Sequence, residues 1–232
     1  MSTDPAAAGS RPRERKSEKT RRRILDAAAE VLNRDGFAGA RLSDIAARAE
    51  VRVPGLYYYF DSREAILEEV VISGTRLTMA HVEAKLERLP ADASALDRIC
   101  AAFGAHLEMV LEKSAYTAAA MRTMGQLPGD IRDRQLHQQR IYGELWRGLF
   151  AAGIESGDID PELDPGAARM FLIGAVNWAP EWFDPERGSI DQAVATIERL
   201  VRKALSNTSG GVAPPNRGGR ADLAPLFVPP VR

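Results

Sequence analysis

Apolar residues recur at three- and four-residue intervals along most of the chain, and no stretch alternates apolar with polar positions between hairpin turns. The pattern predicts an all-α fold. A first helix runs over about 17–34, with Ile24, Leu25, Ala28, Val31 and Leu32 on one face, and stops at Asp35-Gly36, where glycine supplies left-handed geometry. A second, short helix begins near Ser43, whose hydroxyl is placed to cap it, and buries Ile45, Ala46 and Ala49; a third covers 53–59. Asp61 and Glu64 have the spacing of a capping box that opens a long helix to about residue 89. Further helices are expected over 93–113, 114–124, 131–155, 166–182 and 190–206, divided by Pro90, residues 125–129, residues 158–165 and Asp184-Pro185. Ser189 and Gln192 form a second capping box at the start of the last one.

Two short helices joined by a tight turn, behind a stabilising first helix, are the arrangement that sets the second helix into a major groove. Charge supports that placement. Residues 1–63 carry 13 Lys and Arg against 9 Asp and Glu, while the rest of the chain is net acidic, so the balance of -1 hides a basic end. Arg11, Arg13, Arg15, Lys16, Lys19, Arg21, Arg22 and Arg23 make its densest run, which suits phosphates and equally suits a solvated tail. Four regions follow: a basic flexible arm at 1–16, a helix-turn-helix domain at 17–63, a helical domain at 64–206, and a Gly- and Pro-rich disordered tail at 207–232.

Gly36-Phe37, LSDIAARAEV at 42–51 and GLYYYFDSREAIL at 55–67 resemble the TetR family of regulators, continuously over residues 17–67. The resemblance implies that Ser43, Val53, Pro54 and Tyr57 approach base edges and that Leu42, Gly55, Tyr58, Tyr59 and Arg63 lie along phosphates. Leu42 has only its backbone to offer. Arg22, Arg41 and Arg52 add cationic groups to the same surface. Glu50 stands where the family usually has glycine, and a non-glycine residue in left-handed geometry costs about 1 kcal/mol. Arg52 replaces a usual capping Ser or Thr and brings a guanidinium close to the groove. The recognition helix holds no Asn or Gln and no Arg beyond Arg52, so Val53 and Pro54 are expected to meet thymine methyls.

In the C-terminal half, Ile190, Val194, Ile197, Val201 and Leu205 form an apolar stripe, and the preceding helix, with Phe171, Val176 and Trp178, is apolar nearly all round. Burial within the chain accounts for such a pattern. The resemblance implies more, a four-helix interface between two copies that makes Phe171, Val176, Trp178, Val194, Ile197 and Val201 dimer contacts and predicts a palindromic operator. Between the two ends, Phe103, His106, Leu107, Val110, Tyr116 and Met121 lie on helices that resemble the family's ligand cavity. So do Met124, Tyr142, Trp146, Phe150, Met170 and Asn177. Each is as well explained as plain core. Methionine and aromatic walls suit a bulky, mostly apolar effector. GAVNWAPEWFDPERGSI at 174–190 resembles regulators that respond to acyl-CoA thioesters, for which Arg140 and Arg169 are candidate anion partners, although surface ion pairs explain both arginines equally.

Catalysis is not expected: His81, His106 and His137 have no metal-ligand spacing, Cys100 is the single cysteine, and neither a phosphate loop nor a nucleophile elbow occurs. No cofactor is expected. The N-terminus lacks the order of a signal peptide and no apolar run is long enough to span a bilayer, so a cytoplasmic protein without membrane contact is expected. The expected function is a homodimeric, ligand-responsive transcriptional repressor; the rival is an all-α ligand-binding protein with a non-functional DNA head.

Overall fold

The structure, a computed structural model, describes residues 11–112 and 114–207, without the side chains of 11–15, 114, 121 and 122. Arm residues 1–10, the tail from 208 onward and the side chain of Met121 thus lie outside what is described. Among the described residues nine α-helices follow in order: α1 Arg11–Gly39, α2 Leu42–Arg48, α3 Val53–Leu56, α4 Arg63–Glu87, α5 Ala95–Glu112, α6 Ser114–Thr123, α7 Gly129–Glu155, α8 Pro165–Asn177 and α9 Ile190–Leu205. Short 3₁₀ turns follow α6 at Met124–Gln126 and α8 at Ala179–Glu181. Ile159 and Ser206 make a single antiparallel bridge that ties the end of α9 to the α7–α8 connection.

Residues 11–16 belong to α1, so this part of the expected flexible arm continues the helix. The helix breaks at Gly36, where φ 71 and ψ 178 fall in a region open essentially to glycine alone, and one more turn then carries the chain to Gly39. The cap of α2 is Arg41, without a side-chain bond, and Ser43 Oγ instead donates to Asp44 Oδ1 (3.3 Å). Ser62, not Asp61, caps α4, accepting from the Ala65 amide at 3.0 Å. At α9 the expected capping box is present in both directions, Ser189 with Gln192.

Two hydrophobic cores share α4. The first joins Ile24, Ala28 and Leu32 of α1 with Ile45, Leu56, Ile66 and Val70, and takes in Tyr116, Ala119, Met124 and Ile131 from beyond the head. The head therefore has no core of its own closing at residue 63; α6 forms part of its floor. The second core packs Val82, Ile99, Phe103, Trp146, Phe150, Ile173, Val176, Val201 and Leu205. Here α5 and α9 approach so closely that a Cβ on Gly104 would stand 2.5 Å from Glu198 Oε1. Between the cores α4 carries Gly74, Thr75 and Thr78 where its apolar series pauses, and a cavity opens at that level.

Candidate nucleic-acid interface and effector cavity

The exposed end of the head is α3 with the turns around it. Glu50 adopts φ 53, the left-handed geometry expected of the turn. Arg23 donates to the Ala49 carbonyl and faces the Glu50 carboxylate at 3.3 Å, while the Val51 amide closes on the Ala46 carbonyl at 2.9 Å. These bonds offset the strain of a non-glycine residue there. Pro54 sits in the first turn of α3, where a missing N–H leaves no bond unmade. The helix is one turn long, and 57–59 continue as turns through Tyr59 N–H to Leu56 O (2.9 Å) and Phe60 N–H to Leu56 O (3.0 Å), so the expected rod over 53–59 is shorter and tighter.

Only Leu56 of α3 is buried, and it anchors the helix to the first core. Tyr57 is 54% exposed and Tyr58 77%, with Tyr59 half-buried and edge-on to Tyr58 at 5.0 Å. Ser43, Pro54, Arg22, Arg41 and Arg52 are exposed and Gly55 is half-buried. Two expected contacts change. Val53 packs partly against the first core, which leaves Pro54 the freer apolar surface for a thymine methyl. Arg63 turns inward: its guanidinium donates to the carbonyls of Phe37 and Ala40, pairs with Glu64 at 2.8 Å and lies 5.2 Å over the Phe37 ring. It satisfies carbonyls left open at the end of α1 rather than reaching for phosphate. Arg63→Ala is therefore expected to cost about 2–4 kcal/mol of stability, as two charge-assisted bonds are lost, and to lower the urea midpoint. A variant of normal stability but weakened DNA binding would instead mark Arg63 as a phosphate contact.

The cavity is enclosed by Gly74, Thr75 and Thr78 of α4, His106 and Val110 of α5, Thr117 and Ala120 of α6, Met124, four residues of α7 (Gln135, Gln139, Tyr142, Trp146), and Ile173 and Asn177 of α8, and holds about 100 Å³ of free volume. Of the residues expected to line it, His106, Val110, Met124, Tyr142, Trp146 and Asn177 do. Phe103 and Phe150 are spent in the second core, where Phe103 packs on Trp146 at 4.5 Å. Leu107 faces a different groove, Met170 is half-buried outside the lining, and Tyr116 points the other way, donating to Asp26 of α1 at 2.9 Å. Sequence reasoning missed Thr75, Thr78, Gln135 and Gln139. On helices these polar residues have the look of solvent-facing positions.

His106 is buried, and burial pushes its pKa down, so the ring is neutral. Nδ1 lies 2.7 Å from the Tyr142 hydroxyl and Nε2 2.9 Å from Asn177 Oδ1. A neutral ring meets both partners when Tyr142 donates to Nδ1 and Nε2–H donates to Asn177. Both nitrogens are then occupied, leaving no free base in the cavity. Arg140 is exposed, and Arg169, pushed below its ordinary pKa by burial, sits toward Glu144 and Arg147; neither lines the cavity.

The cavity and the head share α6. Thr117, Ala120 and Met124 form its cavity wall, whereas Tyr116 holds α1 through Asp26. Two residues past Met124, Gln126 Oε1 accepts from the Phe37 amide at 2.9 Å, against the break at Gly36. Phe37 is thus held by Gln126 at its N–H and by Arg63 at its carbonyl.

A third feature is a broad apolar groove of about 610 Å³ along α8, its following turn and α9. Phe171 (78%), Trp178 (65%), Trp182 (60%) and Leu200 (55%) stand exposed, large apolar side chains of the kind that mark an interaction surface when they are grouped. The expected contacts divide. Phe171 and Trp178 are on this surface and Ile197 lines the groove, but Val176, Val194 and Val201 are buried inside the chain, because that side of α8 and α9 packs against α5. Trp182 and Leu200 stand exposed on the groove instead.

Residues 24–70 match the family description "Bacterial regulatory proteins, tetR family", and residues 92–205 match "Tetracyclin repressor-like, C-terminal domain". The chain belongs to the TetR family. It is accordingly a ligand-responsive, DNA-binding transcriptional repressor and not an enzyme. It is similar to the repressor KstR2 of Rhodococcus jostii, 26% identical over 205 residues that cover 84% of this chain and 92% of the relative. The fatty acid metabolism regulator protein of Bacillus subtilis is 26% identical over 155 residues, 66% of this chain and 78% of that one. In fold it resembles AibR, solved in complex with isovaleryl coenzyme A and operator DNA, with a TM-score of 0.66 at 22% identity over 78% of this chain and 97% of the other. Among the described residues no helix is long and apolar enough to cross a membrane.

Proposed function

We propose that this TetR regulator acts in the cytoplasm as a homodimer, closed by the Phe171, Trp178, Trp182 and Leu200 surfaces of two copies, and sets α3 and Tyr57 and Tyr58 of each copy into successive major grooves of a palindromic operator. The exposed tyrosines beside Arg52 carry this reading, since two large aromatic rings left in water on a basic-flanked turn need a surface to meet. Two-fold symmetry makes the same patch serve both subunits.

Release follows from the shared helix. The free volume is smaller than the sites that ordinarily hold drug-sized ligands, so an effector of any size displaces a wall, and the α6 wall carries the Tyr116–Asp26 and Gln126–Phe37 bonds to α1. A ligand that binds better to the displaced arrangement draws the population away from the spacing that fits DNA.

The deciding experiment is selection of random duplex DNA on the purified protein. Recovery of a palindrome supports the regulator; retention of all duplexes alike, lost as salt is raised, would instead favour an all-α ligand-binding protein whose head has lost specific recognition.

A further inference from the structure

The walls of the cavity narrow what it accepts. Among the described residues no Lys, Arg, Asp or Glu lines it, and its two titratable rings are uncharged: burial pushes the His106 pKa down, with both nitrogens bonded, and pushes the Tyr142 phenol up. A carboxylate or ammonium placed there would lose its hydration with no countercharge, a cost of several kcal/mol that ordinarily forces the group to neutralise. Yet the walls are not inert. Three buried polar atoms that face this level of α7 lack hydrogen-bond partners: Gln135 Oε1, Gln139 Oε1 and Trp146 Nε1. Gln135 spends its amide nitrogen on Thr75 Oγ1 at 3.1 Å, and the Trp146 N–H lies near the Tyr142 hydroxyl without a well-formed bond to it. Buried polar groups are nearly always paired, so three orphans around one void mark the places a ligand fills.

We propose that the effector is a compact, uncharged molecule with a carbonyl or ether oxygen that accepts from the Trp146 indole N–H and a hydroxyl or amide N–H that donates to Gln135 or Gln139. Its apolar remainder lies against Val110, Ala120, Met124 and Ile173. Carboxylates meet no cation among the described lining residues, and a coenzyme A thioester brings phosphates that this lining does not pair. Arg169, buried one turn before Ile173 on α8 with its Nε unpartnered, is not in the lining.

This inference rests on the regulator reading and is tested so that the two can fail separately. The purified full-length chain is first bound to its selected duplex without ligand; failure at this stage defeats the regulator reading, and with it the effector role. A series sharing one short alkyl chain is then added: hydroxy-ketone, primary amide, primary alcohol, carboxylate, alkylammonium and the coenzyme A thioester. The hydroxy-ketone or amide is expected to raise the melting temperature and release DNA at concentrations at least about tenfold below the carboxylate and the thioester, a gap of about 1.4 kcal/mol. Trp146→Phe and Gln139→Leu should each weaken the neutral ligand about tenfold while leaving unliganded DNA binding intact. The proposal is overturned if the carboxylate or thioester is preferred, if no member of the series binds, or if neither variant alters the response of a chain that still folds and holds DNA.

Discussion

Replacing Tyr57 and Tyr58 together with alanine is expected to lower operator affinity at least about thirtyfold while the helical content and the urea midpoint stay as they are. The two rings are more than half exposed and contribute little to the first core, which holds α3 through Leu56. Each subunit would lose contacts of about 1–3 kcal/mol, and the loss occurs twice in a dimer. Binding to unrelated duplexes, set by Arg22, Arg41, Arg52 and the basic part of α1, should fall far less. A fluorescence anisotropy titration at fixed salt checks this, with circular dichroism on the same samples. Unchanged affinity for the selected duplex would remove α3 from the interface.

A still larger loss is expected from breaking the patch on α8 and α9. Phe171→Glu with Leu200→Glu places two carboxylates per chain where a second copy would otherwise cover apolar surface. Both positions are mostly exposed within one chain, so folding should survive. Light scattering should report a monomer at micromolar concentration, and retention on the selected duplex should fall about a thousandfold or more, toward the affinity for unrelated DNA, because a lone head grips one half-site. Val194→Ala is the contrasting variant. Val194 is buried against α5, so its truncation should cost about 1–3 kcal/mol of stability and leave the dimer assembled. A dimer that persists through the double glutamate variant would place the interface elsewhere.

The fate of these positions shows how far a sequence carries. Periodicity located the long helices, though not all of their ends, because a buried face repeats with the turn of the helix whatever it packs against. The same property limits it. Val194, Val201 and Leu200 are all apolar on α9, and which side meets α5 and which meets another chain depends on how the helices are rotated in the fold. The left-handed turn at Glu50 and the Ser189–Gln192 box were legible because they are local chemistry. Capping of α4 by Ser62 rather than Asp61 differs by one residue between two acceptors of similar quality. The inward turn of Arg63 was hidden, since its carbonyl partners at Phe37 and Ala40 are distant in sequence and become available only where α1 ends.

The cavity was the least legible part. Five helices and a 3₁₀ turn contribute to it, so no single helix's pattern announces a void. His106, Tyr142 and Trp146 were found among the aromatic residues of the C-terminal half, whereas Phe103 and Phe150 share their character and fill the core instead. Gln135 is fully buried although Arg132, Asp133 and Arg134 before it on α7 are exposed, and only the packed structure separates it from a surface glutamine.

Dimethyl sulfate footprinting on the selected duplex examines the reading of α3 most directly, since the reagent methylates guanine N7 in the major groove. Two copies of this chain should protect guanines in two clusters whose centres lie about one helical turn, or a whole multiple of it, apart, and the Tyr57→Ala, Tyr58→Ala variant should protect neither. Guanines left fully reactive in the presence of saturating protein, or a single cluster without its symmetric mate, would contradict a pair of recognition helices seated in successive major grooves.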